Sequence, residues 1–120
     1  GIGADILIPG FVVHGGADKR FLIRAIGPGL QQHGVDGVLD NPKLRVFAGS
    51  TEVASNDDWS AASNAAEIAA TADTIGAFAL ESGSADAALL TELAPGAYTI
   101  QVSGVENTTG IALVEVYEAP

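Results

Sequence analysis

Gly83–Glu118, GSADAALLTELAPGAYTIQVSGVENTTGIALVEVYE, is the stretch whose reading decides the fold class. In Tyr98-Thr99-Ile100-Gln101-Val102-Ser103 apolar and polar residues alternate without a break, the period of a β-strand with one buried and one wet face. Pro95-Gly96 turns the chain into this strand. Glu106-Asn107-Thr108-Thr109-Gly110 is rich in turn formers and leads to a last strand at Ile111–Tyr117. The stretch therefore reads as three consecutive strands with two tight connections, over which the remaining chain closes a sandwich or barrel.

Upstream, Asp5–His14 holds two apolar triplets split by Pro9-Gly10. Proline cannot donate to a ladder, so a kinked strand near a sheet edge is expected. Arg20–Ile26 reads as a strand with Phe21, Ile23 and Ala25 on one face and Leu22, Arg24 and Ile26 on the other. A lone arginine on an apolar face reads as a paired structural residue. Gly27-Pro28-Gly29 stops that strand, and Leu30–Pro42 is a long connection of the kind that crosses between sheets. Lys43–Ala48 and Glu52–Ser55 form a hairpin across Gly49-Ser50-Thr51. Residues 60–71, SAASNAAEIAAT, are the helical candidate, with Ser60 or Ser63 as N-cap, a narrow stripe around Ile68 and Trp59 as anchor. Ile75–Leu80 reads as a short apolar strand. These elements predict an all-β sandwich of jelly-roll or Greek-key type, with about seven to nine strands and one short helix.

Composition narrows the function classes. The 120 residues suit one domain, 1–120, and an opening Gly1 with no methionine in the chain suggests a processed chain or one module of a longer protein. Cysteine is absent, which excludes a disulfide framework and a thiolate zinc site. Every apolar run is broken within about ten residues, well short of the roughly twenty that a spanning helix needs, so membrane insertion is not expected. The net charge is −10, and all five cations, Lys19, Arg20, Arg24, Lys43 and Arg45, precede Val46, after which eleven acids follow. Phosphate binding needs clustered Lys and Arg, so nucleic acid is not an expected partner.

Asn56-Asp57-Asp58 is the densest group of oxygen donors. Together with Asp86, and helped by Ser84 or a carbonyl, it is a candidate calcium site, because this hard ion takes about six to eight oxygen ligands. A structural reading stands beside it: Asp57 or Asp58 caps the following helix, and Asp86 fixes its own turn by accepting from backbone amides. No HExxH, GxSxG or phosphate-binding GxxxxGK[ST] motif occurs, and His14 and His33 sit in Gly-rich surroundings without a local partner motif. No catalytic residue is therefore expected. Trp59 is the one aromatic considered as a sugar-stacking ligand residue; Tyr98 shares its face with Ile100 and Val102 and reads as packing. Asn107-Thr108-Thr109 fits a glycosylation acceptor.

The strings LIRAIGPGL, NDDW and GSADAALL…LAPGAYTIQVSG…TGIALVEVYE, in this order over nearly the whole chain, resemble a recurrent, uncharacterised β-sandwich domain of large secreted proteins from verrucomicrobia-like bacteria. The C-terminal half is also similar, more distantly, to the bacterial pre-peptidase C-terminal domain. That resemblance implies a jelly roll appended to secreted enzymes, often with calcium. The recurrent module carries a further polar strand ahead of the Gly-x-Gly that is here Gly1-Ile2-Gly3. Without it, either a strand is cropped or the sheet has an edge that a neighbour could fill.

Asp5–Val13 and Ile111–Tyr117 are apolar on both strand faces, a pattern found where both faces are covered. Ile6, Ile8, Phe11, Val13, Val114 and Val116 are accordingly the expected assembly interface, with β-augmentation as the route. The sequence reading is thus a non-enzymatic, calcium-stabilised structural module of an extracellular or cell-surface bacterial protein, self-associating into a filament or array. A carbohydrate-binding accessory module, with polysaccharide as partner, is the alternative.

Overall fold

The computed structural model describes residues 10–81, 83–105 and 110–119. The strands are β1 (Gly10–Val13), β2 (Lys19–Ile26), β3 (Pro42–Ala48), β4 (Thr51–Asn56), β5 (Ala87–Leu93), β6 (Gly96–Gly104) and β7 (Leu113–Ala119), and the helix α1 is Ala65–Ile75. They build two antiparallel sheets, one ordered β1-β6-β3-β4 and the other β5-β2-β7.

Strand β2 is the axis of the molecule. Its period-2 pattern is apolar on both faces, and both are covered. Phe21, Ile23 and Ala25 enter the inter-sheet core with Leu44, Val46, Leu89, Ile100 and Val102. Leu22 faces the opposite way and packs with Ala88, Trp59, Ile68 and Ala72 beneath α1. Ile26 ends the strand against Leu30 and Val38. The Leu30–Pro42 connection, which includes a 3-10 helix over Pro28–His33, thereby closes one end of the sandwich.

The strand pairing corrects the three-strand picture of Gly83–Glu118. Strands β5 and β7 flank β2 in one sheet, whereas β6 lies in the other, paired with β1 and β3. Ala94-Pro95 carries the chain across the sandwich in two residues, and the Tyr98 hydroxyl pins that arch by donating to the Ala94 carbonyl at 2.6 Å. Of the consecutive strands, only β3 and β4 are neighbours in a sheet; their hairpin forms as the sequence indicates, with a bulge between Val46 and Phe47. The last strand runs to Ala119 and begins at Leu113, because Ile111 is used in a parallel bridge to Val38.

Two further expectations are corrected. The helix starts later than residue 60: Trp59–Ala61 is a separate 3-10 turn, Asn64 is the N-cap, and the Ser60 hydroxyl instead accepts from the Gly83 amide at 3.0 Å. The helix also runs on to Ile75, so Ile75–Leu80 is no strand. Gly76 ends the helix, and residues 77–81 form an irregular strap whose carbonyls are taken by side chains, Phe78 by Arg24 and Glu81 by Trp59. A segment with no sheet neighbour meets its backbone needs in this way. Ile68 and Trp59 are buried together under α1, as the narrow-stripe reading predicts.

Among the described residues, no helix is long and apolar enough to cross a membrane. The Leu30–Pro42 connection is locked by close backbone approach at two glycines. A Cβ on Gly27 would lie 1.9 Å from the Leu39 carbonyl oxygen, and one on Gly110 would meet Leu39 N and Val38 O at 2.6 Å. Gly27→Ala is therefore expected to destabilise the fold by about 3 kcal/mol or more, since backbone cannot yield as a side chain can. Urea denaturation measures this; a loss below about 0.5 kcal/mol would show that the loop is not held there.

Candidate functional site

The Asn56–Trp59 segment lies against the start of β5, where Asp86 stands, whereas the described residues expected to mediate assembly lie on β1 and β7. Asp86 is the most constrained of the candidate residues and is wholly buried. Its Oδ1 accepts from the amides of Gly27 at 2.8 Å and Gly29 at 3.1 Å, and its Oδ2 accepts from the Ser84 hydroxyl at 2.8 Å. Its carbonyl accepts from the Trp59 amide at 2.9 Å. Asp86 thus joins the end of β2, the start of β5 and the turn before α1. Of the two readings of this aspartate, the turn-fixing one describes its contacts, with the difference that the turn it fixes is chiefly Gly27-Pro28-Gly29, 59 and 57 residues away in sequence.

Asn56 makes a comparable link. Its Oδ1 accepts from the Ala88 amide at 3.1 Å and its Nδ2 donates to the Asp58 carbonyl at 3.3 Å, tying the end of β4 to β5 in the opposite sheet. Asp57 is exposed, and Asp58 precedes the Trp59–Ala61 turn in N-cap position without a capping side-chain bond. Asn56, Asp57 and Asp58 border an open polar depression with Lys43, whereas Asp86 borders a separate cleft with Pro28, Gly29 and Ser84. Among the described residues, no group of three or more His, Cys, Asp or Glu side chains is gathered closely enough to hold a metal ion. The four residues do not fit a calcium ion as one ligand set. The Asp86 carboxylate is enclosed by N–H and O–H donors, and both ends of the Asn56 amide are engaged.

Trp59 is 7% exposed; its ring packs under α1 and its Nε1 donates to the Glu81 carbonyl at 3.0 Å. Sugar stacking requires an open aromatic face, which Trp59 does not present. His14 and His33 are both exposed, and His33 lies edge-tilted against Phe78.

Among the assembly residues, Ile6 and Ile8 lie outside the described residues, as does the Asn107-Thr108-Thr109 acceptor. Val13 is buried in the inter-sheet core; Phe11 and Val114 are half-buried against it, Phe11 stacked on Tyr98 at 5.5 Å. Among the described ones, Val116 is exposed. The alternation of β1 and β7 instead brings out Val12 and Leu113, preceded by Ile111. Phase was the missing information: a strand that is apolar on both faces does not reveal which face meets the core.

Arg24 is paired, as its position in the strand predicts. It is 1% exposed, with Nε and Nη2 at 2.7 and 2.6 Å from Glu115 Oε1 and Nη1 donating to the Phe78 carbonyl at 2.6 Å. The Phe78 ring lies over the guanidinium at 4.7 Å. Glu115 sits across the β2–β7 ladder from Arg24, so strand register alone delivers the pair. Tyr117, beside them, has its phenol pKa raised above the ordinary tyrosine range by burial first, then by the hydrogen bond and negative charge of Glu115; Arg24 opposes the shift.

No family model matches the chain, and no curated protein and no solved structure is similar to it at a significant level.

Asp86→Ala leaves two buried amides and a hydroxyl without their acceptor, and is expected to cost about 3 kcal/mol or more in urea denaturation. The wild-type melting midpoint is expected to be the same in calcium and in chelator; a calcium-dependent rise that disappears in Asp86→Ala would restore the ion site. For Tyr117, the raised folded pKa means that its stabilising contribution is complete below the unfolded value, about pH 10, and is lost as pH climbs through the folded value. Tyr117→Phe should therefore lose less stability than wild type between about pH 9 and 12. Parallel alkaline curves for the two proteins would contradict this.

Proposed function

We propose that the chain is a non-catalytic structural module of an extracellular or cell-surface bacterial protein, of jelly-roll type, that associates with identical or neighbouring modules along the free edge of β7. The observation that carries this reading is the edge itself. Strand β7 pairs with β2 on one side, and among the described residues no strand pairs with the other. Its residues Leu113 and Val116 are 41% and 38% exposed, and Ile111 just ahead of them is 54% exposed.

Leu113 lies across the ladder from Ile26 and Val116 from Ile23, which face opposite ways in the sheet. Apolar surface is therefore open on both faces of the edge strand. A strand added from a second copy would pair the free backbone groups and cover both faces at once, the chemistry of β-augmentation. In the other sheet both edge strands also carry an exposed valine, Val12 on β1 and Val53 on β4. Joining a β7 edge to a β1 edge is a heterologous contact, which propagates into a filament unless it closes into a ring.

The jelly-roll reading is supported by the chain's repeated crossing between sheets, with β3–β4 the single hairpin. The extracellular setting rests on the resemblance of LIRAIGPGL and the C-terminal strings to secreted modules. The non-catalytic reading is supported by the buried charged groups: Arg24 and Asp86 are committed to Glu115, a backbone carbonyl and backbone amides.

Sedimentation over a concentration series, with negative-stain microscopy of the densest sample, tests the proposal. Wild type is expected to form larger species as concentration rises. Leu113→Lys combined with Val116→Lys is expected to weaken association by about 100-fold, with the melting temperature measured alongside to separate lost association from lost folding. A wild type that stays monomeric throughout would sink the assembly reading.

A further inference from the structure

Four strands border the two sheets, β1 and β4 in one and β5 and β7 in the other, and they are not equally ready for a neighbour. The free side of β5 is already taken. At alternate residues the Asp86 carbonyl accepts from the Trp59 amide at 2.9 Å, the Ala88 amide donates to Asn56 Oδ1 at 3.1 Å, and the Leu90 carbonyl accepts from Asn64 Nδ2 at 3.4 Å. Backbone groups two residues apart point to the same side of a strand, so one turn amide and two asparagine side chains stand where a further strand would pair. Strand β4 is bulged: Val46 opposes Ala54 and Phe47 opposes Glu52, which leaves Val53 as the extra residue. Strand β1 has only four residues. Bulges and very short strands both discourage pairing at a sheet edge.

Strand β7 differs from all three. Its seven residues run in unbroken register with β2, and among the described residues neither a strand nor a side chain bonds its other side. Its charges are also cancelled. Glu115 is paired with Arg24 at 2.6 Å and Glu118 with Lys19 at 3.2 Å, although the chain as a whole carries −10. A second copy, equally acidic, therefore meets no net charge along this rim.

We infer that the partner of β7 is β7 of a second copy, antiparallel about a two-fold axis through Val116, so that association closes at two chains. This rests on the reading of β7 as the associating edge and names the strand it meets. A β7-to-β1 contact sets seven residues against four, whereas β7 against itself can pair along its full length. Residues opposite one another in an antiparallel pair share a face, so the axis must pass through a residue. An axis at Glu115 would oppose two carboxylates. An axis at Val116, the midpoint of Leu113–Ala119, pairs all seven residues and opposes Val116 to Val116, Leu113 to Ala119 and Glu115 to Tyr117. A two-fold contact uses the same patch on both copies and leaves no second β7 edge to extend.

The chain has no cysteine, so one introduced thiol can be cross-linked only to its counterpart in another copy. Across the proposed pair the two Val116 Cα atoms lie about 5 Å apart, within disulfide reach. With diamide as oxidant, Val116→Cys is expected to form a covalent dimer about ten-fold faster or more than Val12→Cys or Val53→Cys. Both control valines are the more exposed, at 55% and 45% against 38%, so exposure alone predicts the opposite order. Sedimentation of the wild type over a concentration series is expected to reach two copies and stop. Equal cross-linking rates for the three variants would overturn the two-fold pairing. Growth beyond two copies that Leu113→Lys with Val116→Lys abolishes would also overturn it, while leaving association at β7 in place. A monomer at every concentration would overturn both.

Discussion

The buried carboxylate of Asp86 is the point on which the architecture depends. It gathers two amides of the Gly27-Pro28-Gly29 turn and the Ser84 hydroxyl, while its own carbonyl holds the Trp59 amide. The four segments brought together in this way are the exit of β2, the entry to β5, the loop before α1 and the start of the long connection. The amides of Gly27, Gly29 and Trp59 would otherwise lack these acceptors, and an unpaired buried amide is a cost the fold cannot meet many times over. The two glycines belong to the same device. Gly27 admits the Leu39 carbonyl at a distance no side chain permits, and a Cβ at Gly29 would press on Asp86 Oδ2 at 3.1 Å.

From that clamp the rest of the molecule follows in layers. The inter-sheet core is filled from β2, β3, β5 and β6, and the second face of β2 is covered by α1 with Trp59 and Ile68. The helix covers the centre of the three-stranded sheet, and Glu115 neutralises the buried Arg24 there. On β7, Leu113 on the helix side and Val116 on the inter-sheet side are both partly exposed. Between α1 and residues 77–81 the small side chains of the helix leave a cavity of about 100 Å³.

The parts of this fold legible in the sequence are those set by local period. Phe21, Ile23 and Ala25 against Leu22 and Ile26, the β3–β4 hairpin, and Tyr98 with Ile100 and Val102 in the core all follow from alternation. Sheet membership was not legible. Adjacent strands pair more often than not, and nothing in Ala94-Pro95-Gly96 says that β6 leaves the sheet of β5. Residues 75–80 carry enough apolar side chains to pass for a strand, but Ile75 ends the helix and residues 77–81 give carbonyls to Arg24 and Trp59 instead of to a sheet neighbour. For the candidate site, the acidic residues were visible but their roles were not. Asp86 finds its partners nearly sixty residues away, and an acceptor for amides looks the same in sequence as an acceptor for an ion. Gly27-Pro28-Gly29 was readable as a turn, yet its partner was not.

Amide hydrogen exchange at Gly27 and Gly29 tests the clamp most directly. If Asp86 holds this turn as described, both amides exchange as slowly as those of the β2 ladder, although they lie in a loop, and calcium leaves their rates unchanged. Rapid exchange at both positions, or protection that appears only when calcium is added, would contradict the account.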